Sequence, residues 1–359
     1  TCALPIFFIQ SFKYETEIIS RMKNHESAYP LYMGNSEFAA NYSFAACIAQ
    51  ETKEKIIEVA QRLNYTPNQV AVSLATSKSH IIGLIITDMR NAHVASSFMS
   101  IDLELQKNQY SLLCSTVSDE MQPINGGVRN MVACGIEGII DAQPEGAEYT
   151  PDEMETIRQL KASGLPVVSY DNMHAKDFGV CVNFNYFLGG YMAVKHLIEN
   201  GHRRIGCVTG QMDYRVTVER LNGYKKALSE AAIPYDPKLV YTGNYEIDSG
   251  SSALPYLLGQ KVTAIFAFND QMAFGIYRAA RNYGIRIPQD LSIVGFDNVL
   301  FSDVLEVPLT SIHIPTDEMG NTIAKEMLDM LKHGKPKEPR IVTFEPNLMI
   351  RGSTARLEA

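Results

Sequence analysis

The chain has 359 residues, 46% of them hydrophobic and 20% charged, with a formal net charge of −8. That composition provides for two or three globular domains at roughly 100–200 residues each, and it excludes a chain that stays disordered or winds into a collagen-like fibre. No apolar stretch approaches the ~18–20 residues of a membrane-spanning helix, and the excess of acid lies in residues 81–359, because residues 1–80 carry seven basic and seven acidic side chains.

Any meeting with nucleic acid is therefore expected in the N-terminal fifth. Thr1–Ile9 is apolar, but no positive charge precedes it, so it is not expected to be a signal peptide. Gln50–Leu63 reads as an amphipathic helix with Ile56, Val59, Ala60 and Leu63 on one stripe. The turn around Pro67 leads into a short helical segment, Asn68–Thr76, and then a polar joint, Ser77–His80.

From Ile81 onward, short apolar runs alternate with longer helical stretches. The runs are IIGLIIT (81–87), SLLCSTV (111–117), IEGIID (136–141) and PVVSYD (166–171). RIGCVTG (204–210), LVYTG (239–243), TAIFAFND (263–270) and LSIVGFDN (291–298) come next. Continuous apolarity, at spacings that fit a strand, a helix and two turns, predicts parallel strands buried on both faces. Helices are expected at 97–107, 189–200, 220–231, 270–283 and 316–333; Gly201, Gly284 and Gly334 supply stop signals. Residues 340–350 read as a last strand pair around Pro346.

About ten strands suit two doubly wound α/β sheets better than one, and ligands bind such folds at the carboxyl ends of the strands. Asp88, Asp171, Asn269, Asp270, Asp297 and Asn298 fall there, either as ligand contacts or as caps of the following helices. The six cysteines (Cys2, Cys47, Cys114, Cys134, Cys181 and Cys207) form no C-x-x-C, and reduced, buried thiols are expected.

ETKEKIIEVAQRLNYTPNQVAVSLATSKSHIIGLIITD resembles the third DNA-domain helix, hinge helix and first core strand of the lac repressor family of bacterial regulators. HLIENGHRRIGCVTG, ERLNGYKKAL, AIFAFNDQMAFG, IPQDLSIVGFDN and PLTSI continue the resemblance in the family's order, over about residues 48–353. It implies an N-terminal helical DNA-binding and hinge segment on a periplasmic-binding-protein-like core of two doubly wound parallel-sheet subdomains. The divisions would be 1–47, an atypical N-terminal segment; 48–80, a remnant DNA-binding helix and hinge helix; 81–182 with 313–340, the core N-subdomain; and 183–312 with 341–353, the core C-subdomain.

By the same resemblance the protein would be a cytoplasmic homodimer that binds operator DNA and responds to a small sugar or sugar-derived effector. Asn68, Ala71 and Leu74 of the hinge helix would meet DNA, with Leu74 wedged between bases or else packed on Val70 and Ala71. The effector contacts would be Arg220, whose planar fork can hold two hydroxyls; Asp297 and Asp171, carboxylates that accept hydroxyl hydrogen bonds; Asn269; and Tyr245, stacking on a sugar face. His93 and Val94 stand where many members carry two phenylalanines after Asn91. Phe98, Ile101 and Leu105 would face either the dimer partner or their own sheet.

Residues 1–47 lack the family's A-G-V-S helix-turn-helix pattern, and LYMGNSEFAAN (31–41) carries no Lys or Arg to meet phosphates. Either that segment is a corrupted reading or DNA recognition has been lost, leaving a cytosolic sugar-binding protein. Catalysis is not expected, because G-x-G-x-x-G after the first strand, G-x-x-x-x-G-K-[ST], G-x-S-x-G and H-E-x-x-H are all missing. No cofactor is expected, and the eight histidines show no metal-ligand spacing; His196 and His202 read as solvated groups at a helix end.

Overall fold

A computed structural model describes residues 78–86, 91–116, 125–143, 151–172 and 178–357, with a few isolated residues besides. The expectations for residues 1–47, for Asn68, Ala71 and Leu74, and for Asp88 lie outside the described residues. Contacts divide the chain at Ile81/Ile82, and the body from there onward holds the α/β core.

In chain order the elements are β1 (Ile81–Ile86), α1 (Ala92–Lys107), β2 (Ser111–Thr116), α2 (Asn125–Ala133), β3 (Gly138–Asp141), α3 (Pro151–Ser163), β4 (Val167–Tyr170) and β5 (Gly179–Phe184). Then come α4 (Tyr186–Glu199), β6 (Ile205–Thr209), α5 (Arg215–Glu230), β7 (Val240–Thr242), α6 (Ile247–Gly259), β8 (Ala264–Ala267), α7 (Asp270–Tyr283) and β9 (Ser292–Asp297). The last are β10 (Thr310–His313), α8 (Thr316–His333), β11 (Arg340–Phe344) and β12 (Asn347–Met349). They build two six-stranded sheets, ordered β11-β5-β4-β3-β1-β2 and β12-β10-β9-β8-β6-β7.

Each sheet makes one subdomain. The pairings are parallel except β10 with β12. Inner strands β3, β4, β6, β8 and β9 are buried at every residue, while edge strands β2, β11 and β12 alternate towards solvent. That is the pattern helices on both faces impose. Fully buried Tyr224, Phe266, Phe268 and Phe296 anchor the second core, each contributing roughly 1.5–3 kcal/mol by leaving water.

The chain passes between the sheets three times: from β5 into α4, from β10 into α8, and from β11 to β12. The last passage corrects the expectation that 341–353 belongs wholly with the second subdomain. Val342 and Phe344 pair with Val182 and Phe184 of β5, so 340–344 completes the first sheet and only 347–349 joins the second. The predicted strand pair around Pro346 is thus two strands in different sheets. Strand β5 escapes the apolar-run pattern, since Gly179 and Asn183 break up GVCVNF.

Helix α5 begins at Arg215 rather than at the predicted Arg220, because tertiary packing overrides the weak helix propensity of Val216, Thr217 and Val218. A Cβ on Gly190 of α4 would run into the Arg220 carbonyl, and one on Gly223 of α5 into that of Phe187. The two backbones therefore touch, and this contact seats Arg220.

Cys181 and Cys207 are buried as expected, but Cys114 and Cys134 are exposed; Cys114 stands on β2, the edge strand of its sheet. Ile101 and Leu105 are buried within the subunit, where α1 packs against α8, so that stripe belongs to the core. Met99 and Leu103, on the other side of α1, face solvent instead. His202 is buried, bonded to Thr263 Oγ1, Ser292 Oγ and the Ala355 carbonyl, and His196 meets Thr354 Oγ1. The pair pins the C-terminal tail to the second subdomain and is not a solvated cap.

Candidate functional site

A cavity of about 310 Å³ opens between the carboxyl ends of the two sheets. It lies at the small end of the ~300–1,000 Å³ usual for small-molecule sites. Asp171, Arg220, Tyr245, Asn269 and Asp297 all line it, joined by Asn91, His93, Val94, Phe98, Tyr170 and Tyr186 among others. The five residues marked in the sequence come from well-separated stretches of the chain, and the fold brings every one of them to this space.

Several of these side chains are aimed by unusual backbone. Asp171, Tyr245, Asp297 and Asn298 all have positive φ, at 54°, 68°, 104° and 55°. Non-glycine residues adopt such angles rarely and at a cost of about 1–3 kcal/mol, and they concentrate at binding sites. The turn at Asp297 is held from beneath by Asp270, which is fully buried. Its carboxylate accepts from Ser302 Oγ (2.5 Å), Ser311 Oγ (2.6 Å) and the Val299 amide (2.9 Å). Burial nonetheless pushes the Asp270 carboxyl up to about 6. Neither expected reading fits this residue: Asn269 caps the following helix, Asp270 is not among the residues lining the cavity, and its carboxylate supports the turn instead.

Arg220 is the centre of the second-subdomain wall. It is 5% exposed, and its guanidinium lies 4.2 Å from the Phe296 ring and 4.6 Å from the Tyr186 ring. Nη1 donates to the Tyr245 hydroxyl at 3.1 Å, Nη2 stands 3.8 Å from Asp297 Oδ1, and Nε is buried with no partner. Aromatic faces on two sides fix the plane of the fork and lower the cost of keeping the charge dry. Burial drives the Asp297 carboxyl well above the ordinary range, with Arg220 pulling the other way.

Asp171, on the opposite wall, accepts from the Phe184 amide (3.1 Å) and the Tyr186 hydroxyl (2.5 Å). Burial raises it to about 6 against those bonds and the Arg215 charge. Asn269 already serves inside the protein: its Oδ1 caps α7 at Met272 N, and its Nδ2 donates to the Tyr245 carbonyl at 2.9 Å. It positions Tyr245, whose hydroxyl meets Thr217 Oγ1 at 2.6 Å.

Three residues that sequence reasoning did not assign also matter here. Arg215 begins α5 in the second subdomain and donates across the gap to the Asp171 carbonyl (2.8 Å) and Asn183 Oδ1 (3.2 Å) of the first. Tyr186, the first residue of α4 after a crossing, bridges Asp171 and the Arg220 fork. His93 lies in the first turn of α1, and burial with the Arg220 charge lowers its imidazole to about 4. Only the departure from the family's phenylalanines could have drawn attention to it.

Among the described residues no group of His, Cys, Asp and Glu is placed to hold a metal ion, and no helix is long and apolar enough to cross a membrane. The arrangement offers carboxylates, one clamped arginine, amides, hydroxyls and aromatic faces, which together suit a small polyhydroxylated molecule.

Residues 194–354 match the Periplasmic binding protein-like domain family. The chain is 32% identical to the HTH-type transcriptional repressor PurR of Aliivibrio salmonicida over 86% of this chain and 92% of that protein. It is also 32% identical to the ribose operon repressor of Haemophilus influenzae, covering 87% and 92%. Among solved structures, a LacI family transcriptional regulator from Enterococcus faecium with bound ribose superposes with a TM-score of 0.69 at 28% identity, covering 77% of this chain and all of that one. The lac repressor dimer bound to operator reaches a TM-score of 0.74 at 24% identity, covering 86% and 91%, a likeness of fold. The relatives are transcriptional repressors and not enzymes.

Proposed function

The chain belongs to the LacI family of transcriptional regulators, and on that premise we propose that it is a repressor whose operator affinity is set by a small sugar or sugar-derived effector in the cavity between its two subdomains. The observation that carries this reading is the convergence of Asp171, Arg220, Tyr245, Asn269 and Asp297 on one cavity. A sugar there gives hydroxyl hydrogens to Asp171 and Asp297 and receives them from Arg220, while Tyr245 and Phe98 cover its apolar faces. Asn269 acts through Tyr245.

Because the cavity has one wall on each subdomain, the sugar binds best to one relative setting of the two. That setting shifts the hinge segments, where Asn68, Ala71 and Leu74 contact DNA. A coupling of about 1–3 kcal/mol, or 5–150-fold in affinity, is typical of such linkage. The protein acts as a cytoplasmic homodimer on operator DNA, with no membrane association and no catalytic step. Exposed Met99 and Leu103 on α1, and Leu300, Phe301 and Val304 after β9, supply apolar surface for the partner.

The test is a gel shift of the full chain on its own upstream DNA, with and without sugars. Arg220→Ala should lose the sugar response and keep sugar-free affinity within about threefold; an unchanged response removes Arg220 from the site. The lack of Lys and Arg in residues 31–41 favours one second reading, a cytosolic sugar-binding protein without DNA recognition. Sugar binding with no DNA shift would favour that alternative.

A further inference from the structure

Arg215 is the first residue of α5, in the second subdomain, yet two of its hydrogen bonds end in the first. Nη2 donates to the main-chain carbonyl of Asp171 (2.8 Å) and to Asn183 Oδ1 (3.2 Å), while Nη1 donates to Glu219 Oε1, one turn further along α5 (2.5 Å). Glu219 thus holds the fork with Nη2 pointing across the gap. The Arg215 side chain is 14% exposed, and it is not among the residues lining the cavity, although its neighbours Tyr214 and Val216 are.

Both acceptors belong to one corner of the first sheet. Asp171 follows β4; its amide donates to the Val182 carbonyl of β5, and its carboxylate accepts from the Phe184 amide. Asn183 lies between those two residues and is buried. The positive φ of Asp171 is a backbone state that persists only where its surroundings over-determine it. A bond from a cation to that carbonyl is roughly twice as strong as one between neutral groups. Tyr186 also reaches Asp171, but through the carboxylate, the group a sugar would use. Arg215 holds the carbonyl, which a sugar leaves alone. Its tie and a bound sugar can therefore coexist, and both favour the setting in which the two walls face one cavity.

We propose that Arg215 is a positioning residue that fastens the two subdomains in the effector-binding setting before the effector arrives, acting through the main chain of Asp171 without touching the sugar. This rests on the cavity being a sugar site linked to operator affinity. A ligand whose competent setting is only partly populated binds with an affinity reduced by that fraction. Losing the tie lowers the fraction and so weakens the sugar. It also moves the operator affinity of the sugar-free protein, in the direction opposite to the sugar's own effect. A residue that only touched the sugar would leave the sugar-free protein unchanged.

The experiment uses the full chain as wild type, Arg215→Ala, Arg215→Lys and Glu219→Ala, with D-ribose, D-glucose and D-galactose as probes. Calorimetry reads sugar affinity, a gel shift on the upstream DNA reads operator affinity, and small-angle scattering reads the subdomain setting without DNA. Losing one charge-assisted bond changes the balance of settings about tenfold, so Arg215→Ala should weaken the best-bound sugar about three- to tenfold. Its sugar-free operator affinity should shift about threefold against the direction in which sugar moves wild type. Its sugar-free radius of gyration should exceed that of wild type, and saturating sugar should return both readings to the wild-type values. Arg215→Lys keeps the charge and should recover part of each change. Glu219→Ala frees the fork and should move every reading the same way by less, which keeps the test decisive if Arg215→Ala melts early. Weaker sugar binding with an unchanged sugar-free protein overturns the proposal, because Arg215 then serves the sugar alone. Sugar affinity within twofold of wild type in both Arg215→Ala and Glu219→Ala also overturns it and leaves the sugar site standing. If wild type binds none of the three sugars, the reading of the site fails and the inference with it.

Discussion

Replacing Arg220 by methionine tests how the site is held together, because it removes the charge while keeping most of the volume packed against Phe296 and Tyr186. Asp297, 3.8 Å away and buried, then loses the cation it faces. At an effective dielectric of 20 the attraction is about 4 kcal/mol, and breaking a buried pair from one side costs about 3–5 kcal/mol; the long separation favours the lower figure. The loss depends on pH with a definite sign. Asp297 already has a folded value raised by burial against the pull of Arg220, and without the arginine it rises further. A carboxyl with a raised folded value favours the native state below its unfolded value and disfavours it as pH rises through the folded one. The deficit of Arg220→Met should therefore be largest near pH 8 and shrink towards pH 5. Urea unfolding at both pH values, on Arg220→Met, Asp297→Asn and the double variant, checks this. We expect a coupling energy of at least about 2 kcal/mol at pH 8, the double variant recovering most of the loss. A coupling under about 0.5 kcal/mol, or an equal deficit at both pH values, would refute the account of Arg220 as counter-charge to Asp297.

The same geometry governs other outcomes. Asp171, raised by burial to about 6, should lend stability below its unfolded value near 4 that is lost as pH rises through 6. Asp171→Asn should accordingly gain up to about 3 kcal/mol over wild type at pH 8, and nothing near pH 4, by thermal or urea unfolding. The same variant should weaken sugar binding at pH 8; stronger binding would deny the carboxylate a role. Gly223→Val forces α4 and α5 apart at the Phe187 carbonyl and should cost more than about 2 kcal/mol, lowering the melting temperature by several degrees. Leu300→Glu, at a residue 80% exposed, should leave the monomer fold intact and shift light scattering at micromolar concentration towards half the mass; an unaltered mass removes that surface from the dimer.

Much of the fold was legible because inner parallel strands advertise themselves as unbroken apolar runs. LSIVGFDN and TAIFAFND announced β9, β8 and the polar residues at their carboxyl ends. The edges were harder to read. Strand β5 carries a glycine and a buried asparagine, and β11 alternates like a surface strand, so nothing local reveals that Phe344 pairs with Phe184. The five residues expected at the site were marked in advance by the family resemblance, with Asp171, Asn269 and Asp297 also standing at strand ends, and all five line the cavity. The others act through relations that spacing cannot encode. Arg215 reaches the carbonyl of Asp171 from the other subdomain, and Tyr186 joins Asp171 to the Arg220 fork.

The threefold passage between the sheets has a consequence for synthesis. Strand β5 leaves the ribosome roughly 155 residues before β11, its neighbour in the finished sheet. At about 5–20 residues per second, that flank of the first sheet waits on the order of 8–30 s for its last strand. During that interval its unpaired amides and carbonyls are open to other nascent chains. A premature stop anywhere between β6 and β11 would release a fragment with that edge permanently bare, so truncated products should precipitate or be degraded while the full-length chain stays in solution.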